Sequence, residues 1–187
     1  MTRLFIALPI GGEIIGRLES LHGFLGGHNH LLRPVAPSHY HITLKFLGEC
    51  GLNQATAVQS TFDEINAPRE EIPFTLAGMG AFPDVKKPGV LWVGLATDTE
   101  SINSLHRNVE TYTRNFNLKE EKRAFTPHLT VARVKNGRKI SGELLKYLES
   151  HRDTVFGESA FDRLSLFSSR LTPEGPVYTE LKSIRFR

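Results

Sequence analysis

The segment His39–Glu49 reads HYHITLKFLGE and alternates apolar and polar residues, as a β-strand does. Residues i and i+2 of a strand point to the same face. His41 and Thr43 are therefore expected to project together, while Ile42 and Leu44 face the opposite way into a core. Such a strand presents an imidazole and a hydroxyl on one side and anchors itself by the other.

The pattern His, apolar, Thr, apolar occurs again in the segment Phe125–Arg133, FTPHLTVAR, where His128 and Thr130 share a face. One such motif carries little information, because a lone histidine on a strand is usually a surface residue or a satisfied core residue. Two copies are much harder to explain as chance. Each copy lies on a strand that precedes a helix and a hairpin, which indicates a loose internal duplication and two similar lobes.

The composition restricts the class of protein. A chain of 187 residues with 40% apolar and 23% charged residues suits one globular domain over residues 1–187. The apolar runs fall far short of the roughly 18 residues that a membrane span requires. The single cysteine, Cys50, excludes an intrachain disulfide framework and favours a cytoplasmic location. The net charge of +3 permits a polyanionic ligand, but the basic residues are scattered, so a duplex-DNA footprint is not expected.

The periodicity predicts secondary structure of the α+β class. Helices are expected at about 13–25, 52–65, 99–115 and 141–148. The order lacks strict βαβ alternation, and its hairpins argue for antiparallel pairing. Strands are expected at 3–9, 41–48, 72–82, 89–96, 128–134, 160–168 and 177–185, the last two around the turn TPEGP.

The two motifs together suit phosphodiester chemistry. Imidazoles with an unperturbed pKa near 6.5 can divide the work of base and acid at neutral pH. Two hydroxyls can donate hydrogen bonds to phosphoryl oxygens. A zinc site built from His39, His41 and His128 is the rival interpretation, but no carboxylate or thiolate lies at a recognisable spacing. We therefore predict no metal and no cofactor.

These motifs resemble those of the 2H phosphoesterases, specifically the RNA 2′,3′-cyclic phosphodiesterases that are also named 2′-5′ RNA ligases. The resemblance covers nearly the whole chain. It implies a bilobal α+β fold in which two pseudo-symmetric, mostly antiparallel sheets, flanked by helices, face each other across a central cleft. The similar segments are RLFIALPI, RPVAPSHYHITLKFLGE, KKPGVLWVGL, FTPHLTVAR and LSLFSSRLTPEGPVYTELKSIRF.

The resemblance also implies roles for the motif residues. His128 would be the base that activates water and His41 the acid that protonates the leaving 3′-oxygen, although the two labels can be exchanged on the sequence alone. Thr43 and Thr130 would hold the phosphate, and Arg133 would contact the anionic substrate. The implied reaction opens a 2′,3′-cyclic phosphate of RNA or a nucleotide to a 2′-phosphomonoester.

Three further residues belong to the same region of the site. Phe46 matches an aromatic residue that can stack on a base, with core packing as the alternative, and Arg33 matches a basic position for substrate binding. Phe46 and Arg133 each lie five residues after a histidine, so only a bulge or a strand end would turn them to the cleft. His39 is expected on the His41 face, where it either orients that imidazole or lines the rim.

Other polar and aromatic residues have structural explanations. Lys45 shares the His41 face and is expected to be a solvated strand lysine. Trp92 lies in an apolar strand and is expected in the core. Tyr178 and Ser168 of the closing hairpin could border the cleft.

Three functions remain open on the sequence: cyclic phosphodiester hydrolysis, ligation of RNA through a 2′-5′ linkage, and RNA binding without catalysis. The intact histidines of both motifs favour an enzyme, a metal-independent hydrolase. We expect it to act as a monomer on RNA ends or nucleotides, without membrane or duplex-DNA partners.

Overall fold

The computed structural model describes residues 1–97, 99–118, 124–135, 138–172 and 175–186. The strands within these ranges are β1 (Thr2–Pro9), β2 (Leu32–Pro34), β3 (His41–Cys50), β4 (Ile72–Phe82), β5 (Val90–Thr97), β6 (His128–Val134), β7 (Val155–Phe161), β8 (Arg163–Thr172) and β9 (Gly175–Arg185). The helices are α1 (Ile14–Arg17), α2 (Glu19–Gly27), α3 (Leu52–Ser60), α4 (Thr99–Arg114) and α5 (Gly142–Ser150).

The strands form one antiparallel sheet in the order β7-β4-β5-β6-β3-β1-β8-β9, and β2 pairs with β6. The sheet has two four-stranded halves, and their junction at β3 and β6 is a single registered pair, Ile42 and Leu129. The two motif strands are thus neighbours at the centre of the molecule. The predicted α+β class and its two similar halves around a cleft are confirmed, with the two predicted sheets joined at this narrow point.

The apolar sides of the motif strands lie in the core, as predicted. Ile42, Leu129 and Val131 are fully buried, and Leu44 is nearly so. Burying an aliphatic side chain of this size contributes about 1.5–3 kcal/mol. This packing fixes the opposite faces of both strands towards the cleft. No helix of the described ranges is both long and apolar enough to cross a membrane.

Two predicted helices are interrupted. The helix expected at 13–25 is divided into α1 and α2 at Leu18, whose φ of −95° and ψ of 1° depart from helical values. The helix expected at 52–65 ends at Ser60 and continues as a 3₁₀ turn, Phe62–Glu64. There the Thr61 and Tyr112 hydroxyls donate to carbonyls of the last helical turn, which offers those carbonyls partners other than the next backbone N–H groups.

Two strand predictions are corrected as well. β3 continues through Gly48 to Cys50, because this glycine adopts the left-handed φ of 78° at an irregularity of the β1–β3 ladder. The strand expected at 160–168 is divided between β7, which pairs with β4, and β8, which pairs with β1 and β9. Residues 173–174 of the predicted TPEGP turn lie outside the described ranges.

Candidate active site

Each motif strand contains a β-bulge directly after its threonine. In β3, Leu44 is the additional residue, left unpaired in the β1–β3 ladder. In β6, Val131 is the additional residue of the β5–β6 ladder. A bulge resets the alternation of the side chains that follow it. Residues 41–46 and 128–133 consequently share one sequence of environments: partly exposed, buried, partly exposed, buried, buried, exposed.

The bulges turn Phe46 and Arg133 to the cleft face, which a regular strand would have prevented. They also turn Lys45 the other way, so the prediction of a solvated lysine on the His41 face is wrong. Lys45 is 4% exposed, and its Nζ lies 2.8 Å from the carboxylate of Glu110 in α4. A buried ammonium group requires such a counter-charge, and here the pair joins β3 to the helix behind it.

The two motif histidines are held in the same way. Nδ1–H of His41 donates to the carbonyl of His39 at 2.7 Å, and Nδ1–H of His128 donates to the carbonyl of Thr126 at 2.7 Å. A carbonyl oxygen only accepts, so Nδ1 carries the proton in both rings. Nε2, on the other side of each ring, remains available to gain or lose a proton. The sequence contains no signal for these backbone contacts.

Burial keeps both rings neutral in the unliganded protein. It lowers the pKa of His41 to about 4, with the hydrogen bond to His39 acting in the opposite direction. Burial also lowers the pKa of His128, and the positive charge of Arg133 lowers the pKa of both histidines further. An anion bound between the rings would raise both pKa values, because it stabilises the imidazolium form.

The two threonines flank the junction between the halves. Antiparallel pairing about Ile42 and Leu129 sets the threonine of each motif on the same side as the histidine of the other. In the described part of the chain, neither the Thr43 hydroxyl nor the Thr130 hydroxyl has a hydrogen-bond partner. Both can therefore donate to a ligand placed between the strands.

Arginines add positive charge beside the motifs. Arg133 influences the pKa of His41, His128 and Tyr178, which come from both halves, so its guanidinium lies near the shared cleft. Arg33 of β2 pairs directly with Arg133, and directly paired residues point to the same face. Both arginines are exposed, and neither forms an ion pair within the described ranges.

Aromatic rings surround the first histidine. His41 lies 5.0 Å from Phe5 and 5.5 Å from Tyr178 between ring centroids, with the Tyr178 ring edge-on at 84°. Phe46 is 61% exposed, and its centroid is 6.1 Å from Phe5. Core packing of Phe46 is therefore excluded, and its ring extends the apolar wall of the cleft. Tyr178 borders the site as predicted.

The second histidine has an aromatic neighbourhood that the sequence interpretation missed. Trp92 pairs directly with Thr130 and so shares the cleft face, contrary to the expected core position. Its indole lies across Gly80, where a Cβ would overlap the ring. Phe82 lies 5.3 Å from Trp92 and 4.8 Å from His128 between ring centroids. The glycine in the strand paired to Trp92 was the available signal.

The remaining candidates are peripheral. His39 belongs to a 3₁₀ turn, Pro37–His39, and its carbonyl orients His41 while its ring lies 4.8 Å from Tyr178. Ser168 pairs with the core residue Leu4 and so faces away from the cleft. Over the described residues, no three or more histidine, cysteine, aspartate or glutamate side chains form a group that could hold a metal ion.

Comparison with known proteins agrees with this site. The family model described as LigT like Phosphoesterase matches residues 9–92 and again residues 93–178, one match for each motif. The RNA 2′,3′-cyclic phosphodiesterase of Aquifex aeolicus (strain VF5) is 36% identical over 149 residues, which are 78% of this chain and 77% of that protein. The protein of the same name from Archaeoglobus fulgidus is 32% identical over 180 residues, 96% of this chain and 98% of that protein.

Solved structures share the fold. TT0787 of Thermus thermophilus superposes with a TM-score of 0.81 at 24% identity and covers 99% of this chain and 98% of its own. LigT of E. coli, complexed with 3′-AMP, superposes with a TM-score of 0.74 at 22% identity and the same coverage of both chains. The two family-model matches, the relatives and the paired motifs agree. The chain therefore belongs to the LigT-like 2H phosphoesterase family.

Proposed function

We propose that the protein hydrolyses the 2′,3′-cyclic phosphate of RNA ends or nucleotides to a 2′-phosphomonoester. The observation that carries this proposal is the pair of equivalent hydrogen bonds that leave Nε2 of His41 and Nε2 of His128 free at one cleft. Relatives that cover most of the chain bear the name RNA 2′,3′-cyclic phosphodiesterase. As a phosphoesterase the protein is a hydrolase, so the substrate and the mechanism are what the proposal adds.

In the proposed reaction, Nε2 of His128 takes a proton from water as the water oxygen attacks phosphorus. The bond between phosphorus and the 3′-oxygen breaks, and Nε2–H of His41 gives its proton to that oxygen. The product has a 2′-phosphate and a free 3′-hydroxyl. His128 ends protonated and His41 neutral, and proton exchange with solvent resets the pair. The acid and base labels follow the family resemblance.

The surroundings supply what the transferred phosphate needs. The hydroxyls of Thr43 and Thr130 donate to its non-bridging oxygens, and Arg133 balances its charge. The neutral His41 of the unliganded protein cannot serve as an acid, so it takes up its proton with the anionic substrate, whose charge raises the pKa of the ring. Two proton transfers and these donors suffice for the reaction, and we propose that no metal ion takes part.

The test is an assay with a 2′,3′-cyclic-phosphate-ended oligoribonucleotide in the presence of EDTA. We expect hydrolysis by the unaltered protein, and a loss of kcat on the order of 10²–10⁴-fold in His41→Ala and in His128→Ala. His30→Ala removes an exposed histidine outside the cleft and serves as the matched control.

Full activity in either motif variant would exclude the two-histidine mechanism. Activity that EDTA abolishes and a divalent metal restores would exclude the metal-free one. Binding of the oligoribonucleotide without turnover would favour the RNA-binding module, and joining of RNA ends under the same conditions would favour the ligase.

A further inference from the structure

The duplicated motif strands differ at the positions that follow their bulges. On the cleft face, β6 presents Arg133, whereas β3 presents Phe46 at the equivalent place. Two residues further along, the second strand is followed by Lys135, whereas the first has Gly48. The two halves of the site are therefore alike at the histidines and opposite beyond them, with cations on one side and an aromatic ring on the other.

Neighbouring backbone segments bring more cations to the same end of β6. Arg33 pairs directly with Arg133. The N–H of Lys135 donates to the carbonyl of Leu31 at 2.9 Å, and Arg138 N–H donates to the carbonyl of Lys135 at 3.0 Å. These bonds hold the chain segments that carry Arg33, Lys135 and Arg138 beside one another, at the outer end of the cleft.

The loop between β4 and β5 reaches this end as well. The N–H of Val134 donates to the carbonyl of Gly89 at 3.0 Å, which ties the loop to the end of β6. Within the loop, one carboxylate oxygen of Asp84 accepts from the backbone N–H groups of Lys86 and Lys87 at 2.7 and 3.0 Å. This turn leaves both lysine side chains exposed.

These cations form a surface that we name the basic rim: Arg33, Lys86, Lys87, Lys135 and Arg138. None of them forms an ion pair with a carboxylate in the described part of the chain. Elsewhere on the sheet, cations have partners: Arg3 lies 3.1 Å from Glu49 and Arg163 lies 3.0 Å from Asp162. The positive charge of the basic rim is thus uncompensated, and the rim is continuous with Arg133 in the cleft.

We propose that the basic rim binds the backbone phosphates of the RNA strand that precedes the cyclic phosphate, so that the strand leaves the site along β6 and the terminal base lies on the Phe46 side. The inference rests on the proposed function. A mononucleotide has one phosphate to place between the histidines, and further cations in a row need further anions. Single-stranded RNA supplies them at regular spacing, and basic grooves beside aromatic residues are how proteins follow such strands.

The experiment compares two substrates at several salt concentrations: a 2′,3′-cyclic mononucleotide and a hexaribonucleotide that ends in the same cyclic nucleotide. The test variant is Lys86→Glu with Lys87→Glu. The matched control is Arg69→Glu with Lys146→Glu, which changes the net charge equally at exposed residues away from the rim. We expect KM for the hexamer to rise on the order of tenfold in the test variant only, and its dependence on log salt to weaken by about 1.

Unchanged kinetics with the hexamer would overturn the proposal, as would an equal loss on both substrates or an equal loss in the control variant. Equal affinity of the rim for a duplex DNA of the same length would also overturn it. If the unaltered protein hydrolyses neither substrate, the proposed function fails by itself. The rim is then tested by the anisotropy of a labelled hexamer with a 3′-phosphate, where equal affinity of the test variant and the unaltered protein would overturn it.

Discussion

At the scale of single residues, the chemistry depends on how each imidazole is oriented. The His-x-Thr spacing brings a histidine and a threonine to one face, but it does not say which ring nitrogen meets the substrate. That choice is made by the carbonyls of His39 and Thr126, each two residues before its histidine. A ring held through Nδ1 presents Nε2 with a defined direction, which general acid–base catalysis requires.

Burial of these rings predicts the pH dependence of activity. The profile of kcat/KM reports the free protein, in which the pKa of His41 is lowered to about 4 and the pKa of His128 is also lowered. One ring must be protonated and the other neutral, so kcat/KM is expected to fall with rising pH already above pH 6.5. Bound phosphate raises both pKa values, so the optimum of kcat should lie at higher pH. Coinciding kcat and kcat/KM profiles between pH 4 and pH 9 would contradict this expectation.

At the scale of secondary-structure elements, the repeated bulge decides which residues reach the cleft. Without it, Phe46 and Arg133 would point to the helices and Lys45 to the substrate. Lys45 instead pairs with Glu110 behind the sheet, which holds β3 against α4. The same bulge in two strands of different sequence places an aromatic residue and an arginine at equivalent positions of the two halves.

The β4–β5 pair offers a direct test of how the elements shape the site. Ala at position 80 would place a methyl group in the space of the Trp92 indole. We expect Gly80→Ala to cost about 1–3 kcal/mol of unfolding free energy, measured with urea, and to displace the indole. Because the chain contains one tryptophan, its fluorescence reports the displacement without interference. kcat/KM should fall as well, since the displaced ring lies beside Thr130 and Phe82.

Gly89→Ala is the control in the same hairpin, because the nearest atom to its added methyl group would be at 3.6 Å, an ordinary contact distance. Equal fluorescence and stability in the two variants would show that the glycine at position 80 is not required for the position of Trp92.

At the scale of the whole molecule, the site depends on the two halves of one chain meeting at β3 and β6. Each half supplies one histidine, one threonine and an aromatic wall. The halves contact through a single registered pair of residues, so the cleft faces stay open on either side of it. We propose that residues 1–187 act as one unit and that a monomer contains the complete site.

A mixture of two inactive variants tests this. His41→Ala and His128→Ala each retain one intact half. If both histidines of a working site come from one chain, the mixed variants should stay as inactive as each alone, with activity per molecule of the unaltered protein independent of its concentration. Recovery of activity on mixing, after joint refolding or without it, would show that the site is shared between chains.

The sequence by itself determined the α+β class, the buried sides of both motif strands and the residue types of the site. These follow from local rules, since the alternation of a strand and the paired His-x-Thr motifs are visible in short segments. The position of Lys45, the cleft-facing Trp92, the interruption of the first helix and the carbonyl contacts of both histidines were decided only by the tertiary structure. Bulges and face contacts depend on the partner strand, which the pairing of distant segments selects. A one-residue irregularity there reverses every side chain that follows.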